Sequence, residues 1–240
     1  MKQIMLLLSC FFLLTGSFVK AQNVVYDANA EVRKVGDFNG VEVSGGISLY
    51  LSQGNQQAVA VSASEEKYIS RIKTEVRGGV LKIFIEPGAW NSWNWGNKKI
   101  KAYVTVTALK SLHAGGASSI KVTGDLHSDD LDVDVSGSSS LQAAIQGKNL
   151  KIDISGASAA NLSGLVETMK LEVSGASSLK AIDLITVSCK AEVSGASVAN
   201  ITVNKELDAE ASGASSIGYH GDAVIKRVDV SGASSIKKKD

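Results

Sequence analysis

Proline is almost absent from this 240-residue chain, Pro87 being the only one, and aromatic residues make up 5% of a sequence that is 44% hydrophobic. Small and β-branched side chains must therefore fill the interior. Cysteine occurs only at Cys10 and Cys189. The opening MKQIMLLLSCFFLLTGSFVKAQ has a basic Lys2, an apolar run from Ile4 to Leu14, and small or tolerated residues at Val19 and Ala21. That pattern is a secretory signal over residues 1–21, cut after Ala21. The apolar run is too short to span a bilayer. A lipoprotein signal acylated at Cys10 fits less well, because Phe11, Phe12, Leu13 and Leu14 continue the run past the cysteine. Cleavage removes Cys10 and leaves Cys189 alone, which excludes an intramolecular disulfide in the mature chain. It also removes Lys2 and Lys20, taking the formal charge from +1 to −1, so no field for nucleic acid remains.

Glycine, in contrast, is plentiful at 23 residues, and much of it recurs in one motif. VDVSGSSSLQ, IDISGASAAN, LEVSGASSLK, AEVSGASVAN, AEASGASSIG and VDVSGASSIK follow one another, preceded by the divergent LHAGGASSIKV. Their aligned glycines are Gly116, Gly137, Gly156, Gly175, Gly195, Gly213 and Gly232, spaced by 21, 19, 19, 20, 18 and 19 residues. A period of this size marks a solenoid whose units bury their apolar faces only by stacking. Two, four and six residues before these glycines stand apolar positions such as Leu150, Ile152 and Ile154, or Cys189, Ala191 and Val193. Strict period two is the signature of half-buried strands. Cys189 shares the column of Leu131, Leu150, Met169 and Leu207 and reads as a core side chain. A further apolar column, Ile120, Leu141, Ala160, Leu179, Ala199, Ile217 and Ile236, follows each turn. The expectation is an all-β fold, a right-handed parallel β-helix with rungs of about 19 residues built from two or three short strands each. No segment keeps apolar residues at three-four spacing, which excludes helical repeat arrays.

Ser118, Ser139, Ser158, Ser177, Ser197, Ser215 and Ser234 form an uninterrupted column, expected to stack as hydroxyls at a tight corner. A catalytic serine would be singular and have a histidine beside it, whereas His113, His127 and His220 recur in no column. No cofactor motif or catalytic constellation is present. On the opposite parity stand Asp134, Asp153, Glu172, Glu192, Glu210 and Asp229, with Lys151, Lys170, Lys190 and Arg227 two residues before four of them. This column is read as a solvated charge lattice, with a cation-binding strip as the functional alternative.

Before residue 110 the period fades while strand alternation persists, through FNGVEVSGGISLYLSQG, a hairpin turned at Gly78 and Gly79, and KKIKAYVTVTALKSL. Residues 22–110 are therefore an irregular β region of the same architecture, and 111–240 the regular solenoid. Trp90, Trp93 and Trp95, every tryptophan of the chain, lie in PGAWNSWNWGNKK. They either plug the core or present rings for stacking on a sugar.

GDFNGVEVSGGISLYLSQG, TEVRGGVLKIFIE and KIKAYVTVTALKSLHAGGASSIKV, followed by the SGASS rungs, resemble the GIN domain, a family of exported Bacteroidetes proteins described as autotransporter adhesin heads. The likeness spans residues 36–236. It implies a secreted β-helical module and brings no catalytic residue. SGASSIKKKD is not followed by the membrane strands a literal autotransporter needs, so periplasm and cell surface both stay open. The reading is an exported, non-enzymatic envelope module whose partner is a glycan or another envelope protein, with no membrane span after signal cleavage. Carbohydrate binding through Trp90, Trp93 and Trp95 is the alternative, and a polysaccharide-cleaving β-helix a third reading on fold analogy alone.

Overall fold

The computed structural model describes residues 27–86 and 99–239. Residues 1–21, read from the sequence as a signal, and the three tryptophans lie outside those residues. The described residues are 67% strand and 3% helix, with stacked parallel coils of about 19 residues forming a solenoid of about 7 turns.

The regular part is built from β9 (Ser119–Val135), β10 (Ser140–Ile154), β11 (Ala159–Val173), β12 (Ser178–Val193) and β13 (Val198–Ala211). Each is one long bent strand running from one Ser-Gly-Ala-Ser corner to the next, in place of the two or three short strands expected. Glycine sits at the bends of three of these long strands. Gly124 of β9 lies in a bulge where pairing with β10 is interrupted, and Gly147 and Gly164 stay paired in β10 and β11. In contrast, β12 and β13 contain no glycine and bend where their register shifts. Gly124 and Gly164 have φ of +76° and +115°, and a Cβ on Gly147 or Gly164 would collide with the carbonyl of the preceding rung. On either side of the bends the rungs pair in parallel register, with Ile152 against Val133 and Leu171, and Leu141 against Ile120 and Ala160. At several bends the register shifts, as between Gln142 and Ala144. The stack closes with β14 (Ser216–His220), β15 (Val224–Val230) and β16 (Ser235–Lys238).

The N-terminal strands join this stack out of chain order. β2 (Gly40–Val43) and β3 (Ser48–Gln53) pair in parallel with β8 (Ser111–Ala114) and β9, forming a rung with its corner at Gly45 and Gly46. On their other side lie β6 (Val80–Ile85) and β7 (Ile100–Val106), again in parallel. Antiparallel β5 (Ile72–Arg77), β4 (Ala58–Ala63) and β1 (Glu31–Val32) complete that end. The Gly78–Gly79 turn between β5 and β6 has both residues at positive φ, as a two-residue hairpin requires.

Both apolar columns point inward: Leu131, Ile152, Leu171, Cys189 and Ala209 are buried, as are Leu141, Ala160, Leu179 and Ala199. The expected serine column is buried too, from Ser118 to Ser215. Its hydroxyls do more than stack on one another. From Ser139 to Ser197 each accepts the backbone N–H of the serine one rung earlier, as Ser177 Oγ does from Ser158 N (3.4 Å) and Ser197 Oγ from Ser177 N (3.3 Å). Ser177 and Ser197 in turn donate to the Gly156 and Gly175 carbonyls. The corner is a closed hydrogen-bond ladder, which burial of these backbone groups demands.

Candidate functional site

The solenoid presents two sheet faces of opposite chemistry. The first carries the carboxylate column in unbroken register: Glu42, His113, Asp134, Asp153, Glu172, Glu192, Glu210 and Asp229 stand on successive rungs. Basic residues interleave as expected at Lys170–Glu172 (2.7 Å), Lys190–Glu192 (2.7 Å) and Arg227–Asp229 (3.1 Å). Lys151 departs from that pattern and pairs with Asp132 of the preceding rung at 3.1 Å. Asp153 is thus left beside like charges. Desolvation, with Asp134 and Glu172 on either side, pushes its carboxyl above the usual range. Among the described residues no group of three or more His, Cys, Asp or Glu is arranged to hold a metal ion. Carboxylates spaced one rung apart, with Glu172, Glu192 and Asp229 each paired to a basic neighbour, make a ladder and not a coordination shell.

The second face follows each corner. Its outward positions form two columns, Ser48, Ser119, Ser140, Ala159 and Ser178, then Tyr50, Lys121, Gln142, Asn161 and Lys180. Neither column contains a carboxylate. Together they line a shallow groove of about 500 Å³ running across the rungs. Unlike the basic residues of the first face, Lys121 and Lys180 have no ion-pair partner among the described residues and stand exposed.

The end of this groove is organised by Tyr50, which stacks on Tyr103 of β7 with centroids 5.4 Å apart and planes 19° from parallel. In register Tyr50 stands between Tyr103 and Lys121, so its second ring face is turned toward the groove. Tyr103 is anchored below by Asp27, whose Oδ2 accepts its hydroxyl at 2.8 Å and meets Lys101 Nζ at 3.2 Å. The Tyr103 hydroxyl, assisted by the Asn29 N–H and by Lys101, holds the Asp27 carboxyl down at about 2. Lys101 therefore has its charge matched, while Lys121 and Lys180 do not.

A larger cleft of about 750 Å³ opens at the far end of the N-terminal strands, lined by Arg33, Lys34, Asp37, Phe38 and Gln57 among others. Its polar groups are engaged in part, with Arg33 Nε buried without a hydrogen-bond partner and Lys34 and Asp37 outside any ion pair among the described residues. Arg33 pairs with Glu31 at 3.2 Å and donates to the Ile69 carbonyl, and Gln57 bonds both backbone groups of Phe38. Cys189 is buried, and burial pushes its thiol up to about 12, so the core reading of that residue stands.

Sequence reasoning found the carboxylate face because from Asp134 to Asp229 every rung of that column carries Asp or Glu. It missed the groove, although the signal was available: three and five residues past each corner glycine, no position is acidic.

An all-β solenoid with one charge-paired face and one carboxylate-free groove is thus the class of protein that fold and surface define. The family model described as "Putative auto-transporter adhesin, head GIN domain" matches residues 37–223, and the chain belongs to that family. Among solved structures, a "putative adhesin" from Bacteroides fragilis superposes with a TM-score of 0.78 at 20% identity, covering 88% of this chain and 96% of that one. A "putative lipid binding protein" from Parabacteroides distasonis gives 0.68 at 21% identity, with 89% and 98% covered. A second protein from that organism, a "putative adhesin", gives 0.70 at 17% identity, with 88% and 96% covered. No curated protein matches the chain.

Proposed function

We propose that this protein is an exported, non-enzymatic binding module of the cell envelope, an adhesin-like solenoid that holds its ligand against the carboxylate-free face. Export rests on the signal pattern of residues 1–21, and the periplasm and the cell surface are both compatible with it. The observation that carries the reading is the contrast between faces. Lys170, Lys190 and Arg227 are neutralised within their own rungs, whereas Lys121 and Lys180 flank a groove with their charges unmatched. Repetition argues the same way, because catalysis needs one singular cluster and the polar residues here recur rung after rung. The adhesin names of family and neighbours agree with binding, and the lipid-binding name belongs to a neighbour alone.

A second reading, sugar binding by Trp90, Trp93 and Trp95, is favoured by one placement. The described chain resumes at Lys99 and runs straight into β7, which carries Lys101 and Tyr103 at the end of the groove. The two readings predict different losses, through the groove or through the tryptophans. The test is a screen of the mature protein against glycans and envelope components, with reducing-end release measured alongside. Saturable binding without turnover is expected; cleavage at a catalytic rate, or no ligand in the whole screen, contradicts the proposal.

A further inference from the structure

The groove can be read one step further, on the premise that this protein is a binding module. We infer that its ligand is a linear acidic polysaccharide, a polyuronate, lying along the solenoid axis. Lys121 and Lys180 stand three rungs apart in continuous register, roughly 14 Å at the spacing of neighbouring strands. Between them the same column holds Gln142 and Asn161, whose amides both donate and accept, as sugar hydroxyls require. Cation, amide, amide, cation along a line matches a polymer that is anionic at some positions and hydroxylated at all. The adjoining column, Ser140 among it, is small enough for a chain to lie close to the sheet. At the end of the groove the free face of Tyr50 offers an apolar wall for a sugar ring, held rigid from behind by Tyr103 and Asp27.

Other anionic polymers fit worse. Single-stranded nucleic acid is gripped by aromatics interleaved with the cations, and the rungs between Lys121 and Lys180 hold none. An extended peptide advances about 3.4 Å per residue, out of step with the rungs. It also gains most of its affinity by pairing with a free strand edge, and this face lies in mid-sheet with its ladder bonds made. On the carboxylate face of a second copy Glu172, Glu192 and Asp229 are matched already by Lys170, Lys190 and Arg227, which leaves less net charge there to draw Lys121 and Lys180.

The test is calorimetric titration of the mature protein with polygalacturonate, with the same polymer after carboxyl reduction, and with polyglutamate, at low and high salt. The Lys121→Gln/Lys180→Gln double variant is compared with Lys151→Gln/Lys190→Gln on the opposite face. We expect polygalacturonate to bind, the groove variant to bind it roughly tenfold more weakly, as two exposed charge pairs predict, and the opposite-face variant to bind as the parent does. Carboxyl reduction should weaken binding by a similar factor. Equal affinity for polyglutamate, equal losses in the two variants, or salt-sensitive self-association in place of ligand uptake would overturn the inference. If polygalacturonate fails while another envelope component binds, the ligand class falls and the binding-module reading stands; if nothing binds, both fall.

Discussion

A Cβ placed on Gly175 would stand 2.4 Å from the carbonyl oxygen of Gly156, one rung away, and Gly175 itself has a φ of +75°. The corner thus requires glycine twice over, for its left-handed backbone and for the closeness of the neighbouring corner. Gly124 has a nearly identical φ of +76° with nothing within 4 Å of its absent Cβ. Gly124→Ala should therefore cost only the backbone strain, about 1–2 kcal/mol. Gly175→Ala must displace the stacked corner as well and should cost clearly more by denaturant titration. Equal costs would show that the corner spacing yields freely.

Ser177 Oγ ties its corner to the preceding one, accepting from the Ser158 N–H and donating to the Gly156 carbonyl. Ser177→Ala leaves that buried N–H without its partner and should destabilise the fold by about 1–3 kcal/mol. The neighbouring Ser178 is exposed, and its alanine variant should stay within about 0.5 kcal/mol of the parent. Thermal unfolding of the two variants checks this; matching melting temperatures would reduce the serine ladder to coincidence.

Ile154 and Asp153 are adjacent in sequence and opposite in fate, Ile154 wholly buried and Asp153 on the outer face among like charges. Ile154→Asp should cost about 4 kcal/mol or more, since an unpaired carboxylate would enter a dry core. Asp153→Ala should be neutral or mildly stabilising, because Asp134 and Glu172 disfavour that charge. Small and similar shifts in melting temperature would refute the assignment of columns to faces.

Much of this was legible because a solenoid repeats its instructions. Period-two columns place Ile152 or Leu179 in the core without any knowledge of the chain path. The bent strands were not legible, since glycines such as Gly164 turn the chain while its pairing continues, and turn residues normally signal an interruption. Nor was the rung order β6 and β7, then β2 and β3, then β8 and β9, because the intervening antiparallel strands erase the 19-residue period. The groove was hidden for a different reason. The column of Lys121, Gln142, Asn161 and Lys180 changes residue type from rung to rung, and an unmatched lysine differs from a matched one only in three dimensions.

Asp27 should make the N-terminal anchor sensitive to acid. Its carboxyl is held at about 2 in the fold, chiefly by the Tyr103 hydroxyl, against an ordinary value of 3.8. A depressed carboxyl stabilises the fold above its unfolded value and loses that contribution as pH falls through the folded one. The melting advantage of the parent over Asp27→Asn should therefore be full at neutral pH and shrink between pH 3.8 and about 2. A difference that stays constant across that window would remove Asp27 as the anchor of the tyrosine pair.

The measurement that bears most directly on the groove is hydrogen–deuterium exchange of the mature protein with and without saturating polygalacturonate. Ligand should slow exchange in segments 119–122, 140–143, 159–162 and 178–181, one from each successive rung, and leave 132–135, 151–154, 170–173 and 190–193 unchanged. Protection confined to the second set, or to residues 87–98 with the groove unaffected, would contradict the assignment of the carboxylate-free face as the binding surface.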